Sequence, residues 1–275
     1  MRTRWAEYGI EALGLGTFMV VACTFGALLG YPGSPAVLRL PDPIARRALM
    51  GLVMGLTAIT LIYSPWGRRS GAHFNPATTL TFWRLGKVDT RDAIGYATAQ
   101  LLGGLAGVLA AARLLGEVLA HPDVRYVTTT PGTGGSSVAF AAEATIAFVL
   151  MSVVLRMSND APLARFTGLA AGALVALYIT IEAPLSGMSL NPARSLASAV
   201  PAGVWDAFWI YLVAPPLGMI AAAELYVRRH GSRAVYCAKL HHDAGPCLFR
   251  CRWAELHAVA ASQETPAVSH VQAAR

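Results

Sequence analysis

The residues of this 275-residue chain best placed to do chemistry are two asparagines in one repeated phrase, Asn75-Pro76-Ala77 and Asn191-Pro192-Ala193. The chain has only three asparagines, so two of them are committed to the same tripeptide. Asparagine is a preferred helix N-cap and proline suits the first helical position, so each phrase reads as a helix start. Capping uses the side-chain oxygen and leaves the amide NH₂ pointing away with two donors to offer. Two such caps facing one site present donors and no acceptors, at helix ends worth about half a positive charge each. A single file of water passing there must turn its oxygens toward both caps. That breaks the donor–acceptor order a proton relay needs, while the positive helix ends repel cations, an established logic of pore selectivity. At average residue usage the tripeptide has odds on the order of 10⁻⁴ per position, so two chance copies are a poor account.

A second group of reactive side chains lies near the C-terminus, where Cys237, His241, His242, Cys247 and Cys251 fall within "YCAKLHHDAGPCLFRC". Cys-x3-His and Cys-x3-Cys place soft ligands one helical turn apart. Cys237, either His241 or His242, Cys247 and Cys251 would complete a tetrahedral zinc site, although the spacing is not that of a standard finger. Palmitoylation and redox sensing are the competing readings of these thiols. Two acids, Glu11 and Glu143, sit inside apolar runs, where a carboxylate is costly and needs partners.

The elements that must position these residues are membrane spans. The chain is 55% hydrophobic and only 13% charged, about half the charge of an ordinary soluble domain. Apolar runs at Tyr8–Leu29, Ala48–Tyr63, Ala93–Leu115, Val138–Leu155, Phe166–Pro184 and Val204–Val227 approach or exceed a bilayer-spanning length. The first run carries Glu11, is longer than the apolar part of a signal peptide and lacks an obvious cleavage site, so it reads as a span. Each Asn-Pro-Ala follows the second of three spans, and each set of three opens with a span carrying a glutamate. An odd number of spans turns the second set over, giving an inverted repeat of about residues 5–115 and 137–228 with its site near the midplane. After each motif, Pro76–Arg84 and Pro192–Val200 are too short to span, about 13 Å as helices. Gly86-Lys87 and Pro201 to Gly203 stop them, so they read as re-entrant half-helices meeting mid-membrane. The fold expected is an all-α membrane protein with six transmembrane helices and two re-entrant half-helices. The segment 116–136, with "TTTPGTGGSS", reads as a flexible loop, and 231–275 as a cytoplasmic tail, disordered beyond Ala258.

The net charge of +7 could point to nucleic acid, but its placement argues otherwise. Sixteen of the 22 lysines and arginines fall on the side that carries both termini. This is the positive-inside bias, so both termini are expected in the cytoplasm and no nucleic-acid partner is implied. A plasma (inner) membrane location is expected. A tail in that reducing compartment would not keep a stable disulfide.

Residues 5–228 resemble the aquaporin, or major intrinsic protein, family. The resemblance rests on "SGAHFNPATT", "SLNPARS", "EALGLGTFMVV" and "GYATAQLLGG". It implies an aquaporin-like homotetramer with one pore per subunit, conducting water and small neutral solutes between lipid-facing helices with no cofactor. It also implies pore-lining carbonyls from Gly71, Ala72, His73 and Phe74 and from Gly187, Met188, Ser189 and Leu190, with His73 toward the cytoplasm. Glu11 and Glu143 would hold the re-entrant loops by hydrogen bonds. Arg194 matches the filter arginine, permanently charged and rich in donors. Met54 stands where an aromatic is usual, a one-residue slip placing Gly55 there instead. Ile179 replaces the histidine of water-selective members, and Met188 supplies the fourth wall.

That filter has one polar wall and three apolar ones, so water is the expected permeant without exclusivity for water. Other markers are mixed. Ser195 and Ala199 follow the water-channel pattern, where a glycerol-type member would carry aspartate straight after the arginine. Tyr211-Leu212 stands where water channels show an aromatic pair. The alternative is a broader facilitator for glycerol, urea, ammonia, peroxide or a neutral metalloid acid. A coupled transporter would need titratable groups at the midplane, and the sequence offers asparagines there. An enzyme would need a nucleophile–base pair or metal set in the spans, and none is evident.

Overall fold

The computed structural model describes residues 4–243, 245 and 247–264. Among them, six helices are long and apolar enough to cross a membrane. These are α1 (Trp5–Gly30), α2 (Pro43–Tyr63), α4 (Thr90–Leu115), α5 (Gly135–Ser158), α6 (Thr167–Ile181, which reaches spanning length with the 3₁₀ turn Ala164–Phe166 before it) and α8 (Trp209–His230). Between them lie the short helices α3 (Pro76–Arg84) and α7 (Pro192–Ala202), and α9 (Trp253–Glu264) follows in the tail. The fold agrees with the sequence reading of an all-helical inverted repeat.

Two helix starts depart from the apolar runs by five residues, each for a local reason. Helix α2 starts at Pro43 because Asp42 caps it, accepting from the N–H groups of Ile44 (3.0 Å) and Ala45 (3.2 Å). Arg46 and Arg47 are thereby drawn into its first turns. Helix α8 starts at Trp209 because the chain must first turn through Gly203, whose φ of +65° closes the C-terminus of α7.

The helices pair as the repeat demands: α1 runs along α4, α5 along α8, and α2 along α6. The first two pairs are equivalent, and the third joins the two repeats to each other. Glycine permits that third approach, since a Cβ on Gly55 would sit 2.6 Å from the Gly172 carbonyl and one on Gly172 would sit 2.6 Å from the Gly55 carbonyl. Without a hydrophobic driving force between helices in lipid, such backbone approach is what holds the seam. Each half-helix leans on the last span of the other repeat, α7 on α4 and α3 on α8.

The 116–136 segment is not the flexible loop expected. It forms a short helix, Glu117–Ala120, and a 3₁₀ turn, Arg125–Val127. Leu119 and Val124 are buried in a cluster with Leu15, Val108 and Ala197, so the segment supplies core to α1, α4 and α7. In the tail, α9 continues past Ala258 to Glu264, contrary to expectation, with Glu255 in its first turn at the positive helix end. The expectation for residues 265–275 lies outside the described residues.

Candidate pore

Two loops lead into the half-helices, and each is held by one buried glutamate. On the tail side, Glu11 Oε1 accepts from the Ser70 hydroxyl (2.7 Å) and the His73 N–H (3.2 Å). Its Oε2 accepts from the Phe74 N–H (2.6 Å) and the Gln100 amide (2.8 Å). On the far side, Glu143 Oε1 accepts from the Ser186 hydroxyl (2.8 Å) and the Ser189 N–H (2.6 Å), and Oε2 from the Leu190 N–H (2.8 Å). The loops need this support because four non-glycine residues take left-handed conformations at equivalent positions: Ala72 and Phe74 (φ +57° and +46°), Met188 and Leu190 (φ +52° and +59°). Each such residue costs of order 1–3 kcal/mol and persists only where its surroundings dictate it.

Several residues in this support were not singled out from the sequence. Ser70 and Ser186 each precede their asparagine by five positions. Tyr96 and Tyr211 close the two loops, their hydroxyls donating to the carbonyls of Ser70 and Ser186 at 2.6 Å each. Superposing the repeats on Asn-Pro-Ala would have found the serine pair; the tyrosines lie 21 and 20 residues after their asparagines and match only across a one-residue gap. A third acid, Glu182, lies against the same Ser186 hydroxyl, whose single proton it shares with Glu143, and has no counterpart in the first repeat.

The asparagines meet at the centre. Asn75 Oδ1 accepts from its own helix at Ala77 N (2.8 Å), and Asn191 Oδ1 from Ala193 N (3.0 Å) and Arg194 N (3.2 Å). Their amides then cross the pseudo-two-fold: Asn75 Nδ2 donates to the Leu190 carbonyl and Asn191 Nδ2 to the Phe74 carbonyl, both at 2.8 Å. Each amide therefore keeps one free N–H, not the two expected from capping alone. Both asparagines line a cavity of about 520 Å³ that runs between the repeats.

Ala72, His73, Phe74, Gly187, Met188, Ser189 and Leu190 also line this cavity. Gly71 does not, contrary to the expectation from resemblance. Its carbonyl accepts from the Leu240 N–H of the tail (3.1 Å), and the Phe249 ring covers its α-carbon. Toward the far side the wall includes Met54, Ile179, Met188 and Arg194. Gly55 faces the α6 backbone instead, which separates it from Met54. Arg194 Nη1 is buried without a protein partner, a donor left for whatever occupies the cavity.

Packing also sets the heights of these side chains. Added Cβ atoms on Gly51 would meet Ala176 and Thr180, and on Gly55 Gly172 and Ala176. In this antiparallel pair residue 50 therefore stands opposite residue 179, and residue 54 opposite 175. Met50 also lines the cavity. Met50 shares the level of Ile179, and Met54 lies one turn deeper, about 6 Å at 1.5 Å per residue. Sequence reading missed Met50 because the register between α2 and α6 is not a local property. Arg46 and Arg47 line the far mouth.

The tail brings four of its five candidate ligands together. Ligand atoms of Cys237, His242, Cys247 and Cys251 all lie within 4.8 Å of one another. His241 is not among them; its ring packs against Tyr63 at the end of α2, 4.6 Å between centroids. Adjacent histidines point in different directions along an irregular backbone, so only one could join. Hydrogen bonding from Cys237 pulls the Cys247 and Cys251 thiols below the ordinary cysteine range, while the same contacts push Cys237 up.

Six spans, paired half-helices and a midplane cavity with donors at its waist define a polytopic passive channel, not an enzyme. Residues 5–226 match the family model described as Major intrinsic protein. The chain belongs to that family. It is 33% identical to Aquaporin NIP1-1 of Arabidopsis thaliana over 216 residues, covering 77% of this chain and 70% of that one. It is 37% identical to Glycerol uptake facilitator protein-like 6 of Lactiplantibacillus plantarum over 226 residues, covering 81% and 95%. The aquaglyceroporin from Plasmodium falciparum shares its fold, with a TM-score of 0.67 at 23% identity over 82% of this chain and 96% of that one.

Proposed function

We propose that residues 5–228 form a passive pore for water and small neutral solutes, and that 231–275 form an appended cytoplasmic tail. The observation that carries the reading is the reciprocal bonding of Asn75 and Asn191 on the wall of one cavity. Each keeps a spare donor where a file of water must pass, so every oxygen there is turned toward the asparagines and proton hopping is interrupted. Carbonyls of the two loops serve as acceptors on either side. Arg194, with its unpartnered Nη1, orients solute and repels cations at the filter.

Ile179, Met188 and Met50 form the apolar walls of that filter, with Met54 one turn below. A ring with a single donor side binds a solute carbon backbone as readily as water, so selectivity for water is loose. Names among the relatives, an aquaporin and a glycerol uptake facilitator, agree with that range. The protein sits in the plasma membrane with both termini cytoplasmic, as a homotetramer whose exposed apolar residues face lipid or a neighbouring subunit. Transport needs no cofactor, and the tail cluster is a zinc site of Cys237, His242, Cys247 and Cys251.

Stopped-flow light scattering on reconstituted vesicles tests the pore under osmotic gradients of sucrose, glycerol and urea. Water and glycerol permeability well above empty vesicles is expected, without proton leak in a pH-dye assay. Permeability equal to empty vesicles in a metal-free preparation would overturn the reading.

A further inference from the structure

The tail lies across the tail-side end of the cavity. Val235, Cys237, Ala238, Leu240 and Phe249 are buried in one cluster with Ala72, Phe82, Tyr96 and Val154 of the channel. Leu240 forms part of the cavity wall itself. His73, the cavity histidine at this end, has both ring nitrogens engaged. Its Nε2 lies 2.8 Å from the Ala238 carbonyl, so Nε2 carries the proton, and its Nδ1 is left to accept from the Thr79 hydroxyl at 3.0 Å. The donor that would meet a solute is spent on the tail. Phe249 then stacks on the His73 ring, 5.3 Å between centroids and 5° between planes.

The segment is pinned around the opening. The Tyr236 N–H donates to Asn159 Oδ1 beyond α5 (2.7 Å), and the Arg250 N–H donates to the Lys87 carbonyl beyond α3 (3.0 Å). Arg250 also pairs with Asp89 (2.7 Å), and His241 rests on Tyr63 at the end of α2. Most of the described residues of 235–251 are irregular backbone. Ordering such a stretch costs conformational entropy that its few backbone bonds do not recover. A cross-link would recover it.

The cluster has the geometry of that cross-link. Zinc–sulfur bonds of about 2.3 Å in a tetrahedron put the sulfurs about 3.8 Å apart. Cys237 and Cys247 Sγ are 3.5 Å apart, and His242 Nε2 is 3.1 Å from Cys251 Sγ. The sulfurs are free thiols, not a disulfide. Trp253 donates its N–H to Cys251 Sγ (3.4 Å) and stacks on the His242 ring at 4.6 Å, which fixes the orientation of two ligands. Charge points the same way. Zinc with three thiolates and a neutral imidazole carries a net charge of −1, and two lysines are buried beside it, Lys87 at 7% and Lys239 at 3% exposure. Lys87 interacts with Cys237 and Cys251, and Lys239 with Cys247. Asp243 Oδ1 lies 3.9 Å from Lys239 Nζ as one counter-charge, and a metal–thiolate centre between the two buried ammoniums supplies the rest.

We propose that zinc held by Cys237, His242, Cys247 and Cys251 knots the tail into a plug that closes the cytoplasmic mouth, and that loss of the metal opens the pore. This rests on the channel and zinc-site readings above. A ligand shifts an equilibrium by its differential affinity for the two states. Metal binds the knotted tail and not the released one. Removing zinc raises the open fraction.

The test uses the full-length protein in vesicles, with zinc content measured by mass spectrometry and water permeability by stopped flow. One zinc per chain is expected. With zinc a hundredfold above its dissociation constant the closed-to-open ratio is about a hundredfold higher than in the metal-free protein, so with at least about a tenth of the metal-free protein closed a membrane-permeant zinc chelator should raise permeability about tenfold or more, and added zinc should reverse it. The double variant Cys247→Ser/Cys251→Ser should lose zinc and match the chelated protein. The double variant Leu240→Gly/Phe249→Ala keeps the ligands, so it should retain zinc and still conduct. Zinc at background in the wild type overturns the metal site. Equal, high permeability of zinc-loaded and chelated wild type overturns the gate and leaves the channel standing. Vesicles no leakier than empty ones under every condition, including the Leu240→Gly/Phe249→Ala variant, overturn the channel and the gate together.

Discussion

Glu11 is the most informative single residue to perturb, because its four hydrogen bonds can be counted. It is fully buried and accepts from Ser70, His73, Phe74 and Gln100. Alanine would orphan all four donors at about 1–3 kcal/mol each, a total of about 4–12 kcal/mol. That rivals the whole stability of a typical domain, about 5–15 kcal/mol, so Glu11→Ala should not fold. Glutamine is gentler. With its oxygen in the Oε2 position it keeps Phe74 and Gln100, and the Ser70 hydroxyl can rotate to accept from its NH₂. The His73 N–H alone is left facing a donor. One orphaned donor costs about 1–3 kcal/mol, and exchanging a carboxylate for a neutral acceptor removes about 1 kcal/mol more. At about 2–4 °C per kcal/mol for a chain of this size, Glu11→Gln should lower Tm by about 4–16 °C. The left-handed Ala72 and Phe74 should relax as the hold weakens, and water flux should fall. Thermal unfolding in detergent by tryptophan fluorescence, paired with vesicle permeability, reads both effects. Glu143→Gln, with three donors, should behave comparably. A Glu11→Ala protein that unfolds at the wild-type temperature would refute the idea that this carboxylate holds the loop.

The filter and the helix seam can be tested in the same assays, with the gate held open by chelation. Ile179→His adds a hydrogen-bonding group opposite Arg194 and should reduce glycerol or urea flux more than water flux; an unchanged ratio would count against the filter's position. Met50→Ala should raise glycerol flux relative to water more than Met54→Ala does, because Met50 stands level with Ile179; equal effects would overturn the height assignment. Gly51→Ala would put a Cβ 2.4 Å from the Ala176 carbonyl and should cost about 1–3 kcal/mol by forcing α2 from α6. Gly9→Ala, in a helix with nothing near its Cβ position, is the control, and should be neutral or stabilising by up to about 1 kcal/mol.

Much of the fold was legible before any coordinates. Hydropathy alone located six spans, because a helix in lipid must satisfy its own backbone and show an apolar surface over a bilayer's thickness. Asn-Pro is a local capping signal, so the starts of α3 and α7 at Pro76 and Pro192 were read correctly. The paired glutamates stood out because buried charge is costly wherever it falls. The family resemblance overstated Gly71 as a cavity residue, and the local reading missed Ser70, Ser186, Tyr96 and Tyr211, whose partners lie on other segments.

The chain by itself therefore determined its class, its duplicated plan and the two asparagines at its waist, since each depends on composition or on a few adjacent residues. Tertiary structure alone decided which methionine faces Ile179, which of two neighbouring histidines joins three cysteines, and where the tail rests. The α2–α6 register is set by glycine contacts across the seam between the two repeats. The tail reaches back to His73 through a hydrogen bond spanning 165 residues of sequence. Local periodicity carries no record of such contacts. They follow from how much surface each element can bury against a distant one, and that sum is settled only when the whole chain has folded.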